Sequence, residues 1–133
     1  MEVTAAAHAA ALWAGLNLIL LLVLSLLVVR QRQQHKVLFG DGGVPQLAQA
    51  IRAFGNAAEY VPIGVIGLAV LALAGAPALA IHFGGLVLIS GRIAHAVGLS
   101  RSTGSSGLRS AGMILTWIAY IYTAVALIIF AIG

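Results

Sequence analysis

Three polar residues share one face of a segment that is otherwise apolar. Arg52, Asn56 and Glu59 stand at positions i, i+4 and i+7 in the stretch RAFGNAAEY, and at 100° per residue they fall within about 60° of a helix surface. If that helix crosses a bilayer, each central charge costs about 2.5–3.5 kcal/mol even on the most lenient insertion scale. Charged groups in such helices usually face the bundle interior and take part in function, so this face predicts a binding site.

Two further polar pairs lie later in the chain. Arg92 and His95 are about one helical turn apart, and Arg109 and Ser110 follow a loop rich in glycine and serine. The arginines outnumber the lone acid of these segments, Glu59, and this excess favours an anionic ligand. A structural ion pair between Glu59 and one of the arginines is the alternative. His95 is equally compatible with a ligand contact and with a core histidine bonded to the backbone.

The composition places these residues in a membrane protein. Of the 133 residues, 62% are hydrophobic and 8% are charged, whereas soluble domains carry about 25% charged residues. The mean hydropathy is +1.09. The length allows about four spanning helices of about 20 residues each. The chain has no cysteine, so any thiol chemistry would have to use the thiol of a ligand.

Turn signals divide the chain into four apolar segments. Pro45 is a favourable first-turn residue, Gly75-Ala76-Pro77 provides a stop and a new start, and SRSTGSSG at 100–107 has the composition of a loop. We therefore predict an all-α integral membrane protein, a four-helix transmembrane bundle in one domain covering 1–133. The predicted helices lie at about 3–30, 45–74, 77–99 and 108–132.

The distribution of basic residues predicts the orientation. Arg30, Arg32 and Lys36 lie at the first loop and Arg101 and Arg109 at the third, whereas the turn at 75–77 and both termini carry no Lys or Arg. The positive-inside rule therefore predicts cytoplasmic loops at 31–44 and 100–107, with both termini outside. Topology and anionic membrane lipids account for the net charge of +4 without a nucleic-acid partner. The His and acidic residues lack metal-ligand spacing, so we expect no metal site.

Several motifs resemble those of the MAPEG family, the membrane-associated proteins in eicosanoid and glutathione metabolism. GDGG-x-P and R-A-x-G-N-x-x-E-Y-x-P are similar to the family's second-helix signature, and GRIAHAVG and LRS resemble its third-helix and fourth-helix motifs. The resemblance extends from about Val29 to Tyr120 and is to bacterial members similar to microsomal glutathione S-transferases. It implies a homotrimer in the bacterial inner membrane, with glutathione bound between neighbouring subunits near the cytoplasmic side.

The resemblance also implies roles for individual residues. The residues that would bind glutathione are Arg30, Arg52, Asn56, Glu59, Arg92 and His95. Arg109 corresponds to the arginine associated with stabilising the thiolate, and Ser110 stands beside it. Two positions differ from the family pattern. Phe54 replaces a frequent histidine, and Leu99 stands where a tyrosine often contacts glutathione.

The chemistry of glutathione agrees with these residue types. The tripeptide has two carboxylates and one ammonium group, so several arginines and one acid, Glu59, are the expected complement. A cation near the thiol favours the thiolate, and Arg109 at the start of a helix would act together with the helix dipole. The resemblance thus implies a membrane-bound transferase or peroxidase in which the glutathione thiolate attacks a hydrophobic electrophile. Conjugation, peroxide reduction and isomerisation all begin from the same thiolate, and the sequence does not separate them.

Two other functions are compatible with a chain of this size. A trimeric membrane scaffold with the same fold but no activity is compatible with the changes at Phe54 and Leu99. A small four-helix multidrug transporter would also use a membrane carboxylate, but a site for cationic drugs would have acids without surrounding arginines. In this chain, by contrast, one acid, Glu59, accompanies several arginines.

Overall fold

The computed structural model describes residues 4–133, which form four α-helices joined by short loops. The helices are α1 (Ala5–His35), α2 (Pro45–Leu73), α3 (Ala78–Arg101) and α4 (Gly107–Ile132). All four are long and apolar enough to cross a membrane. The predicted all-α architecture with four membrane-spanning helices is therefore confirmed.

Helix α1 continues beyond its predicted end near residue 30 and stops at His35. The added residues are mainly Arg and Gln, which have good helix propensity, and Arg32 and His35 lie in the last turn where basic side chains suit the helix dipole. Lys36 then adopts a left-handed conformation, and its N–H bonds to the carbonyl of Arg32. The basic residues taken as a loop from the sequence thus belong to a helix end.

The other helices begin and end close to their predicted limits. Pro45 occupies the first turn of α2, and Gly75, with a φ of +88°, makes the turn before α3. The side chain of Ser106 accepts a hydrogen bond from the N–H of Arg109 and caps α4. Because consecutive helices run in opposite directions, loops 36–44 and 102–106 share one end of the bundle, here called the basic end.

Helices α2 and α3 form the centre of the bundle. Helix α1 packs on one side of this pair and α4 on the other, and within residues 4–133 α1 and α4 make no contact. One cluster of buried residues, which includes Trp13, Leu68 and Leu88, joins the helices away from the basic end. A second cluster, with Ala53, Ala57 and Ala96, lies closer to the basic end. The α2–α4 side of the bundle is consequently separate from α1.

Glycines allow the backbones of α3 and α4 to approach closely. A methyl group added at Gly91 would lie 2.9 Å from the carbonyl oxygen of Gly112, and one at Gly98 would lie 2.6 Å from the backbone nitrogen of Arg109. Close approach at small residues is the usual way in which membrane helices gain packing energy. Here it also places the first turn of α4, with Arg109, directly against α3.

We expect Gly112→Ala to destabilise the protein, because the new methyl group would meet the backbone of His95 and Gly91 on α3. Overpacking of this kind typically costs about 1–3 kcal/mol. Gly15→Ala is the matched control, since nothing lies within 4 Å of the added methyl group. Thermal unfolding in mild detergent should show a lower transition temperature for the first variant alone. Equal stability of the two variants would contradict the close α3–α4 approach.

Candidate functional site

The polar face of α2 is only partly buried in the subunit. Asn56 is 8% exposed, whereas Arg52 and Glu59 are exposed. The buried side of α2 is formed by residues such as Ala53, Ala57 and Val61. The predicted polar face therefore borders the packed side of the helix, and Asn56 is its member closest to the core.

Arg92 is the most deeply buried charged residue among those described, with 1% exposure. Its Nη1 donates a hydrogen bond of 3.0 Å to Oδ1 of Asn56. Its guanidinium carbon lies 5.1 Å from the centre of the Tyr60 ring, a cation–π distance. Removing a guanidinium from water is costly unless it gains such partners. Asn56 and Tyr60, both on α2, therefore fix the position of this α3 side chain.

The hydrogen bond to Arg92 also fixes the orientation of the Asn56 amide. A guanidinium has donors only, so the amide oxygen must face it and the amide NH₂ group points elsewhere. Within one subunit, Arg92 thus has a neutral partner, while Glu59 is exposed. The ion pair between Glu59 and Arg92 that was considered from the sequence does not account for the burial of Arg92.

His95 connects α3 to the first turn of α4. Its Nδ1 lies 2.9 Å from the carbonyl oxygen of Arg109, and because a carbonyl only accepts, Nδ1 carries the hydrogen. His95 is 4% exposed. The side chain of Arg109 makes a longer contact of 3.4 Å from Nη1 to the carbonyl oxygen of Gly104. His95 is thus a buried histidine bonded to the backbone, and it also borders a cavity between α2 and α4, so a ligand contact stays a prediction.

A cavity of about 640 Å³ opens between α2 and α4 near the basic end, with α3 behind it. This volume is within the roughly 300–1,000 Å³ range of small-molecule sites. Five of the predicted site residues line it, namely Arg52, Asn56, His95, Arg109 and Ser110. The loop residues Thr103, Gly104 and Ser105 form one rim. The apolar part of the wall consists of Leu99, Met113, Ile114 and Trp117.

Three predicted residues do not line this cavity. Arg92 lies behind Asn56 and is buried, so in one subunit it supports the wall of the cavity and is not part of its surface. Glu59 is exposed on α2 outside the cavity. Arg30 is exposed on α1, which makes no contact with α4 in the described residues. A single subunit therefore brings five of the eight predicted residues to the cavity. The roles of Arg30, Glu59 and Arg92 in binding glutathione stay predictions.

The comparison with known proteins agrees with the fold and the residue pattern. The sequence profile of the MAPEG family matches residues 10–129, which include α2, α3 and most of α1 and α4. The chain belongs to the MAPEG family. It is 39% identical over 116 residues to the inner membrane protein YecN of Escherichia coli K12, covering 87% of both chains. The protein of the same name from Escherichia coli strain CFT073 matches equally well.

In this MAPEG protein the surroundings of Arg92 also include Tyr60, for which the sequence predicted no role in the site. Tyr120 donates a hydrogen bond of 2.6 Å to the carbonyl oxygen of Tyr60, and the two rings lie 6.0 Å apart. Tyr60 follows Asn56 by one helical turn, so the helical spacing alone would have placed it on the same face as Asn56. No sequence pattern predicted that residues 103–105 form the rim, because the composition of a loop does not show which cavity the loop borders.

We expect Arg92→Leu to lower the thermal stability of this MAPEG protein, because Asn56 would lose its partner and become a buried unpaired amide. A loss of that kind costs about 1–3 kcal/mol. Glu59→Gln is the matched comparison, since Glu59 is exposed and its replacement should leave the unfolding temperature nearly unchanged. Thermal unfolding of both variants in detergent measures the difference. A larger loss for Glu59→Gln would restore the structural ion-pair interpretation.

Proposed function

We propose that this MAPEG protein is a membrane-bound, glutathione-dependent transferase or peroxidase that acts on hydrophobic electrophiles. The observation that supports this function is the cavity between α2 and α4. It combines two arginines, Arg52 and Arg109, with the donors of Asn56 and Ser110 beside an apolar wall. A polar, cationic region next to an apolar one suits a charged thiol peptide and a hydrophobic second substrate.

The residues of the cavity fit the carboxylates of glutathione. Arg52 offers a planar guanidinium that can bind a carboxylate with two parallel hydrogen bonds. Asn56 adds amide donors, because its oxygen is occupied by Arg92. Arg92 thus contributes to binding by orienting Asn56. Within one subunit this role is indirect, whereas the family resemblance implies a direct contact of Arg92 with glutathione.

Arg109 is the residue that we assign to the thiol. It lies in the first turn of α4, where the helix dipole adds partial positive charge. Its contact with Gly104 is long at 3.4 Å, so the guanidinium can turn into the cavity at little cost. A cation there lowers the pKa of a bound thiol, and the hydroxyl of Ser110 can donate a further hydrogen bond. Bound glutathione would supply the sulfur nucleophile that attacks the electrophile.

The apolar wall defines the approach of the second substrate. Trp117 and Ile114 line the cavity and are each 53% exposed on the outer surface of α4, which faces lipid or another subunit in a membrane. A hydrophobic electrophile dissolved in the bilayer could therefore reach the sulfur without crossing the polar rim. This geometry favours substrates that partition into the membrane.

We further propose that the protein is a homotrimer whose sites are completed at subunit boundaries. Glu59 and Arg30 are exposed and lie outside the cavity of their own subunit. An exposed carboxylate on a membrane helix is costly unless it meets a partner. A neighbouring copy would bring such groups towards an adjacent cavity, where Glu59 could bind the ammonium group of glutathione. By analogy with the relative named as an inner membrane protein, we place the trimer in that membrane, with the basic end in the cytoplasm.

Arg109→Ala should reduce turnover of glutathione with chlorodinitrobenzene near neutral pH. Without the cation the pKa of the bound thiol rises. At a pH below this pKa, each unit of increase in the pKa lowers the thiolate population about tenfold. Part of the activity should return at higher pH, where the thiol ionises unaided. Arg101→Ala is the matched control, because Arg101 is exposed and does not line the cavity. Unchanged turnover and pH dependence in Arg109→Ala would contradict the role of Arg109 in stabilising the thiolate. A wild-type protein without turnover would favour the membrane scaffold that has the same fold but no activity.

Native mass spectrometry in mild detergent should show trimers of the wild-type protein. Glu59→Gln should retain the trimer and bind glutathione more weakly, because the carboxylate contacts the ligand and does not hold the subunits together. Binding is measured through the absorbance of the thiolate when glutathione is added to purified protein. Monomers or dimers in the wild-type spectrum would remove the basis for a site at a subunit boundary.

A further inference from the structure

The loop between α1 and α2, residues 36–44, presents two large apolar side chains away from the bundle. Leu38 is 97% exposed and Phe39 is 95% exposed, the highest values among the exposed large hydrophobic residues of the described chain. Neither residue belongs to a membrane-spanning helix. Adjacent apolar side chains that touch nothing in their own chain commonly mark a surface that meets a membrane or a protein.

Hydrogen bonds hold this loop in a defined shape. Nη1 of Arg32 donates to the carbonyl oxygen of Gly40 at 2.9 Å, which folds the loop back beside the last turns of α1. The side chain of Asp41 accepts from the N–H of Gly43 at 2.9 Å. Gly40, Gly42 and Gly43 all have positive φ angles that other residues rarely adopt. The fold of the loop is thus built into its sequence, and it presents Leu38 and Phe39 at the tip.

The loop lies next to the end of the membrane-spanning part of α1. The part of α1 without Lys, Arg, Asp or Glu ends at Val29. With a rise of about 1.5 Å per residue, Arg32 lies about 4.5 Å and His35 about 9 Å further along the axis. A headgroup layer is about 5–8 Å thick on each side of the hydrocarbon core. Because Arg32 binds Gly40, the loop stays beside the last turns of α1, a position from which Leu38 and Phe39 can reach the headgroup layer.

The charges next to the loop complement an anionic surface. Lys36 is exposed at the end of α1, and the guanidinium of Arg32 bonds to the carbonyl oxygens of Val37 and Gly40. Each basic residue near an anionic membrane adds to its attraction for the surface. Apolar side chains combined with adjacent basic ones are typical of segments that bind at the lipid interface.

We propose that the loop 36–44 is an interfacial anchor, in which Leu38 and Phe39 insert at the boundary between headgroups and acyl chains of an anionic bilayer. Lys36 and Arg32 contact the lipid phosphates. The anchor fixes the start of α2 relative to the membrane surface, because the loop continues directly into Pro45. This inference is independent of the proposed enzyme activity, since none of these residues lines the cavity between α2 and α4.

The absence of cysteine from the sequence allows a direct test with single spin labels. Leu38→Cys, Phe39→Cys and Gln34→Cys are each labelled with a nitroxide in full-length protein, which is reconstituted in vesicles of equal parts phosphatidylglycerol and phosphatidylcholine. Gln34 is the matched control, because it is an exposed polar residue in the last turn of α1. Collisions of each label with oxygen, which concentrates in the bilayer, and with a water-soluble nickel chelate are then measured. Thermal unfolding confirms that the three variants fold alike.

We expect the ratio of oxygen to nickel collisions to be several-fold higher at residues 38 and 39 than at residue 34. Vesicles of phosphatidylcholine alone should lower this ratio at the loop, because the attraction to lipid phosphates is then reduced by the loss of net negative charge. A high nickel collision rate at both loop positions would place the tip in water and overturn the proposal. Exclusion of both reagents at 38 and 39, in vesicles and in detergent, would equally overturn it by showing that a second copy of the chain covers the tip.

Discussion

The close approach of α3 and α4 is the constraint on which the candidate site depends. At Gly91, Gly98 and Gly112 the two helices meet with backbone against backbone, without room for a single methyl group. In hydrocarbon, helices gain little from hiding apolar surface from lipid, so contact of this kind supplies much of their attraction. As a consequence the first turn of α4 cannot shift relative to α3. The contact between His95 and the carbonyl group of Arg109 follows from this packing.

The burial of Arg92 is the second constraint, and it acts on α2. A guanidinium that is 1% exposed needs partners, and α2 provides both the amide oxygen of Asn56 and the ring of Tyr60. Tyr120 on α4 bonds to the carbonyl oxygen of Tyr60. Helices α2, α3 and α4 are thereby joined by polar contacts at the depth of the cavity. A ligand would therefore meet an Asn56 amide that is already oriented, which reduces the ordering required on binding.

The two sides of the bundle differ in chemistry because α1 and α4 are kept apart by the central pair. The α2–α4 side carries the cavity with Arg52 and Arg109. The α1 side carries the basic helix end and a loop whose apolar tip is fully exposed. In the two proposals, a ligand binds on the α2–α4 side and the loop on the α1 side contacts the membrane surface. It also explains why Arg30, although basic and near the same end, lies apart from the other arginines.

The sequence by itself determined the architecture and the family, and it placed two of the cavity residues on one helix face. Strongly apolar segments of spanning length leave helices as the only solution in a bilayer, and helical periodicity places Arg52 and Asn56 on one face whatever surrounds them. The tertiary structure decided which polar residues meet. Periodicity gives the direction of a side chain about its own helix axis, but not which neighbour packs there. Arg92 is therefore buried behind Asn56, Glu59 stays exposed, and Arg30 lies outside the cavity.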